Sequence, residues 1–148
     1  MNAIAILKKD HKEIKEVLHS ISKSNPTAVK TREKLVKKLH FLIKQHTSIE
    51  EKLIYPLGMK DPKLEKITRE AYEEHVAVNL LLKKLLKIEV NDENWLAKCT
   101  VIKENLEHHI EEEESEFFPA LEKFLSKDDL IELGKKILTL KGKFIIEE

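Results

Sequence analysis

Apolar residues recur at spacings of three and four along most of the chain, as expected of helices that bury one face. The first stripe is Ile4, Leu7, His11, Ile14, Leu18 and Ile21, and the second is Leu39, Leu42, His46, Ile49 and Leu53. The third is Leu64, Thr68, Ala71, His75, Val78, Leu82 and Leu85. The fourth is Trp95, Cys99, Ile102, Leu106, His109 and Glu113, followed by Ala120 and Phe124. Breakers separate the stripes at Asn25-Pro26-Thr27, at Pro56 to Pro62, at Asn91-Asp92 and at Ser126 to Asp129. The pattern predicts helices over 3–23, 28–57, 63–89 and 93–125, and a shorter one over 129–141 with Ser126 or Asp128 as its N-cap. The expected fold is all-α. Residues 1–126 form an up-down-up-down four-helix bundle, and 127–148 a C-terminal helical tail that packs on the bundle or on a partner.

Each stripe carries one histidine among its apolar positions. Two of the stripes also share a longer pattern, His-x3-Glu-Glu-x3-aromatic-Pro. It runs from His46 through Glu50, Glu51 and Tyr55 to Pro56, and again from His109 through Glu113, Glu114 and Phe118 to Pro119. The other two match as Asp10-His11 and Glu74-His75, so the chain reads as a duplicated helical hairpin with an approximate two-fold axis. His11 and His75 lie early in their helices, whereas Glu50 and Glu113 lie late. In an up-down-up-down bundle all six residues fall within a slab roughly 10–20 Å from one end.

Positions i and i+4 face the same side of a helix, so His46 with Glu50 and His109 with Glu113 each present a nitrogen and an oxygen inward. Two buried carboxylates without partners are costly, and cations remove that cost. Imidazole with carboxylate suits iron, manganese or zinc better than calcium, magnesium or copper(I). The candidate metal ligands are therefore His11, His46, Glu50, His75, His109 and Glu113. His19, His40 and His108 fall off the seams and read as surface residues. His108-x3-Glu112 repeats the spacing one residue out of register with the seam and with Pro119. Glu51 and Glu114 read as solvated charges, with orientation of the ligands as the alternative. Tyr55 and Phe118 read as closing the bundle end over the site, and Cys99 as a small core residue.

Composition narrows the class. The chain has 148 residues, enough for one domain with a core, and 36% of them are charged, with few Gly and Pro to break helices. Lys plus Arg and Asp plus Glu are 27 each, so the chain lacks the basic surplus of a nucleic-acid binder. A single cysteine excludes an internal disulfide framework and a Cys-rich metal site. The N-terminal apolar run from Ala3 to Leu7 is too short for a signal peptide, and no stretch approaches the roughly 18 apolar residues of a membrane span. A cytoplasmic location is the expectation. The tail carries Leu130, Ile131, Leu133, Ile137, Leu138 and Leu140, then Phe144-Ile145-Ile146, an apolar end that points to a homodimer through the tail.

The order His, His-x3-Glu, His, His-x3-Glu resembles the hemerythrin-like, or HHE cation-binding, domain over residues 4–125. The resemblance implies a non-haem centre of two iron ions, oxo- or hydroxo-bridged, in a four-helix bundle. It implies that the four seam histidines are terminal ligands and that Glu50 and Glu113 bridge. Ferritin-like proteins use Glu-x-x-His pairs instead, and Glu16 with His19 is not repeated at the other ligand positions. One departure stands out. Oxygen carriers of the family have a fifth histidine four residues after the third, where this chain has Asn79. Two six-coordinate irons offer about twelve positions, and four histidines, two bridging glutamates and an oxygen bridge leave about two open. Water, Asn79 or Tyr72 are the candidates for the gap. The expected function is binding or sensing of a small oxidant such as oxygen, nitric oxide or peroxide. The alternative is an enzyme acting on peroxide, nitric oxide or ferrous iron. No acid–base group beyond the ligands is evident, so no catalytic residue is assigned and the binding role is favoured.

Overall fold

The structure is a computed structural model and describes residues 1–144. It contains α1 (Ala3–Ser22), α2 (Val29–Ile49), α3 (Tyr55–Gly58), α4 (Glu65–Leu85), α5 (Trp95–Glu112), α6 (Phe118–Phe124) and α7 (Lys127–Lys141). No helix of the described residues is long and apolar enough to cross a membrane. α1 lies beside α2 and α5, α4 lies beside α5, and α7 lies against α1.

The predicted helices over 28–57 and 93–125 are not continuous α-helices. Each passes through a π-helical turn, Glu50–Ile54 and Glu113–Phe117. The Tyr55 N–H donates to the Glu50 carbonyl and the Phe118 N–H to the Glu113 carbonyl, five residues back rather than four. Prolines explain the change. Pro56 and Pro119 lack the N–H that an α-helix needs, and their rings would collide with the carbonyl four residues earlier. A widened turn relieves the clash. The periodicity of apolar residues does not reveal one extra residue in a long helix.

Caps fix two helix starts. The Asn2 side chain accepts from the Ala5 N–H at 2.9 Å. Ser126, the first of the two caps expected for the tail, forms a reciprocal capping box with Asp129.

The core has two apolar halves. Ile14, Leu18, Leu39, Ile43, Val78, Leu82, Trp95 and Ile102 belong to one. Leu7, Ile49, Ile54, Tyr55, Phe117, Phe118 and Leu121 belong to the other, joined by Leu130, Leu133 and Ile137 of α7. The tail helix therefore turns Leu130, Leu133 and Ile137 onto the bundle, while Ile131 and Leu138 of its stripe stay exposed. Gly134 permits this approach, because a Cβ there would lie 2.7 Å from the Met1 carbonyl oxygen. Phe144 is the last described residue, and Ile145 and Ile146 lie outside the described residues.

Gly58 ends α3 against α4 with no room for a side chain: a Cβ would collide with the Thr68 hydroxyl and lie 3.1 Å from the Phe117 ring. Thr68 is held in place by its bond to the Leu64 carbonyl. Gly58→Ala is expected to cost about 1–3 kcal/mol, measured as a lowered urea midpoint at unchanged slope.

Candidate metal centre

Between the two apolar halves lies a polar layer. His11, His46, Glu50, His75, His109 and Glu113 are each at most 4% exposed. The register is as the seams require, for His109 is buried whereas the His108 side chain is 68% exposed. All six candidates converge, in two overlapping groups. His11, His46, Glu50 and Glu113 form one, and Glu50, His75 and His109 form the other. Glu50 belongs to both.

The distances are those of atoms that share a small cation. His11 Nε2 lies 3.1 Å from His46 Nε2 and 3.1 Å from Glu113 Oε1. His75 Nε2 lies 3.2 Å from His109 Nε2 and 3.1 Å from Glu50 Oε1. Neighbouring ligands about 2.1 Å from one metal at right angles would be about 3.0 Å apart.

What orients the rings is a set of four carboxylates behind them. Glu114 Oε2 lies 2.7 Å from His11 Nδ1, and Asp10 Oδ2 lies 3.0 Å from His46 Nδ1. Glu51 Oε2 lies 2.9 Å from His75 Nδ1, and Glu74 Oε1 lies 2.9 Å from His109 Nδ1. A carboxylate only accepts, so each Nδ1–H donates and each Nε2 is turned inward. This corrects the reading of Glu51 and Glu114 as solvated charges. Sequence spacing hid the pairing because each carboxylate serves a histidine on another helix. The two-fold relation is complete. Asp10 and Glu74 are equivalent, as are Glu51 and Glu114, and each follows or precedes a candidate ligand in the chain.

Neutral imidazoles so oriented would face each other Nε2 to Nε2 with lone pairs, which repel unless a proton or a metal ion lies between them. Glu50 Oε2 is buried with no hydrogen-bond partner among the described residues. Burial opposes charge on His46, yet Glu50, Asp10 and Glu113 overcome it and push its pKa up to about 10. Burial also works against Glu50, but the His46 charge holds its carboxyl well below the usual range. Glu113, facing burial and the repulsion of Glu50, is pushed up instead. The layer therefore demands positive charge, from protons or from metal ions, and metal uptake must displace protons. These residues fit a metal site.

The π turns add one group that the sequence reading missed. In an α-helix, at about 100° per residue, position i+5 points well away from position i. The widened turn returns Tyr55 to the face of Glu50. Its hydroxyl donates to Glu113 Oε2 at 2.7 Å and lies 3.1 Å from Glu50 Oε1. It also lies 3.0 Å from His75 Nε2 and 3.3 Å from His109 Nε2. Burial and the two glutamate charges raise its pKa well above the ordinary phenol value. Phe118, its equivalent, has no hydroxyl and stacks on His11 at 5.7 Å. At this position the two halves differ by one oxygen atom, a difference visible in the repeat as Tyr against Phe. The candidates for the missing fifth histidine sit elsewhere. Asn79 accepts from Lys44 Nζ at 3.2 Å, and Tyr72 packs edge-on against the Tyr55 ring.

Comparison with known proteins agrees with this geometry. The family model described as hemerythrin HHE cation binding domain matches residues 2–121. An uncharacterized hemerythrin-like protein of Schizosaccharomyces pombe is 28% identical over 133 residues, 85% of this chain. The match spans 62% of that relative's length. A crystal structure of a hemerythrin HHE cation binding domain-containing protein from Mycobacterium kansasii superposes with a TM-score of 0.85 at 28% identity. It covers 97% of this chain and 87% of that one.

The role of the carboxylates behind the rings is measurable. Glu114→Gln is expected to weaken metal binding roughly 10–100-fold in competition with a chelator, while Glu111→Gln, at an exposed position of the same acidic run, leaves it unchanged.

Proposed function

The chain belongs to the hemerythrin HHE cation-binding domain family, and from that premise we propose that its buried layer holds two iron ions and binds or senses a small oxidant. The observation that carries the reading is the convergence of four inward Nε2 atoms and two carboxylates, one oxygen of which, Glu50 Oε2, has no partner among the described residues. His11 and His46 would hold one ion, and His75 and His109 the other. Glu50 and Glu113 would bridge them. A mixed nitrogen–oxygen set without sulfur suits iron, and Glu50, shared between the two groups, with Glu113, 3.1 Å from His11 Nε2 and 3.6 Å from His109 Nε2, suits a pair of ions. Iron bound there would supply reversible or redox chemistry toward oxygen, nitric oxide or peroxide.

The protein's own contribution is selection and proton supply. Every ligand is buried, so an organic substrate has no face to approach, whereas a diatomic molecule or peroxide is small enough to enter through side-chain motion. The carboxylates on Nδ1 keep the rings fixed and strengthen them as donors. Tyr55, protonated across the ordinary pH range, places one O–H at the end of the layer shared by His75 and His109. It can donate a hydrogen bond to a ligand on that side and not on the side of Phe118.

That hydroxyl also favours the second reading, an enzyme, since it is an acid within reach of the site that the sequence did not reveal. Iron-replete protein is expected to carry about two irons per chain, with His109→Ala losing at least half of it. Metal analysis showing one ion or none in the unaltered chain would sink the proposal. Tyr55→Phe separates the two readings. If the protein turns over peroxide, the variant should keep its iron and lose about a hundredfold in rate. If the wild type forms only a reversible adduct, the variant should release its ligand faster, followed by stopped-flow absorbance.

A further inference from the structure

We propose that Glu74, His108 and Glu112 form a second, outer site for a divalent transition-metal ion on the bundle surface beside the buried layer. His108 and Glu112 are i and i+4 on α5, and His108 Nε2 lies 2.7 Å from Glu112 Oε1. Glu74 reaches across from α4, with its Oε2 4.0 Å from His108 Nε2. One donor atom from each residue falls within 4.8 Å of the others. Donors about 2.0–2.1 Å from a tetrahedral ion lie roughly 3.3–3.4 Å apart. The observed spacings bracket that value, and the three side chains are exposed enough to adjust, at 26% for Glu74, 30% for Glu112 and 68% for His108.

Two carboxylates face one imidazole, a donor set whose negative charge suits a divalent ion. The imidazole selects zinc, nickel or cobalt over calcium and magnesium. The site also leaves water room to complete the coordination, as an open three-ligand site does.

The two-fold relation supplies an independent argument. Glu74 Oε1 accepts from the His109 Nδ1–H, and its Oε2 turns toward His108. Its equivalent, Asp10, gives Oδ2 to His46 Nδ1, and its Oδ1 pairs with the Lys141 ammonium. In the first half, then, the outward oxygen meets a cation built into α7. α7 packs on α1, the helix of Asp10, so this ammonium serves the first half of the layer. In the second half the same oxygen faces His108 and Glu112. Their equivalents in the first half are Gln45 and Ile49, which could not replace them as ligands. Each half thus has its own means of meeting that oxygen with positive charge, an ammonium in one and a metal ion in the other. A cation in the outer site would draw charge from Glu74 and loosen its hold on His109, linking the surface to the buried layer.

The outer site shares Glu74 with the buried layer, so its test varies His108 and Glu112, which touch no inner ligand, and the iron content of the same samples reports separately on that layer. Calorimetric titration of the full chain with Zn2+ tests it. The wild type is expected to bind one equivalent more than His108→Ala, and Glu112→Gln to weaken that step at least about tenfold. His19→Ala, which removes another exposed histidine, should leave the step intact. Equal Zn2+ uptake by wild type and His108→Ala would overturn the proposal. So would loss of the step in Glu114→Gln, which disturbs only the buried layer. Both variants at His108 and Glu112 change surface positions, and unchanged circular dichroism will show that they fold.

Discussion

A layer of four imidazoles and two carboxylates, cut off from water, has to be neutralised from within, and the rest of the molecule is arranged around that requirement. The apolar halves above and below remove the solvent that would otherwise screen these groups. Because they do, every polar atom in the layer needs a partner close by, and the price of a missing one is several kcal/mol. Helix register, ring orientation and the choice of outer carboxylates all follow. A ring turned the other way would bring its Nδ1–H into the cluster and leave a carboxylate unpaired. Glu50 Oε2 has no hydrogen-bond partner among the described residues, and a cation held in the layer would supply one.

The duplicated hairpin halves the problem. One helical pair with an acid before the first histidine and two acids after the second solves both inner and outer coordination, and repeating it gives a second half-site without new design. Departures from the symmetry then carry the specific chemistry. Tyr55 against Phe118 puts a hydroxyl on one side only. Lys141 against His108 and Glu112 puts different charges behind the two halves. α7 is thus tied to the layer electrostatically through Asp10, as well as to the apolar core.

Much of this was legible in the chain. Seam histidines at heptad-like spacing placed the six inner groups, because burial periodicity and ligand spacing are the same physical fact. The choice of His109 over His108 came from one residue of phase. Three features were hidden. The pairing of Glu51 with His75 and of Glu114 with His11 joins residues on different helices, and no local spacing encodes it. The π turns change hydrogen-bond length by one residue while keeping the helix apparently continuous; only Pro56 and Pro119 hinted at them. The Tyr55 hydroxyl depended on that turn, since an α-helix would have aimed it elsewhere. Asn79 and Tyr72 were natural substitutes for a missing histidine by position, yet side-chain direction sent one to Lys44 and the other to a ring edge.

The widened turns also bear on the order of events by which such a chain arose. Both halves carry the extra residue at the same place, directly after the inner glutamate and ahead of the proline. The simplest history has one insertion in a single ancestral hairpin, copied when that hairpin doubled. On that history each hairpin supplies half of the polar layer, and neither completes it alone.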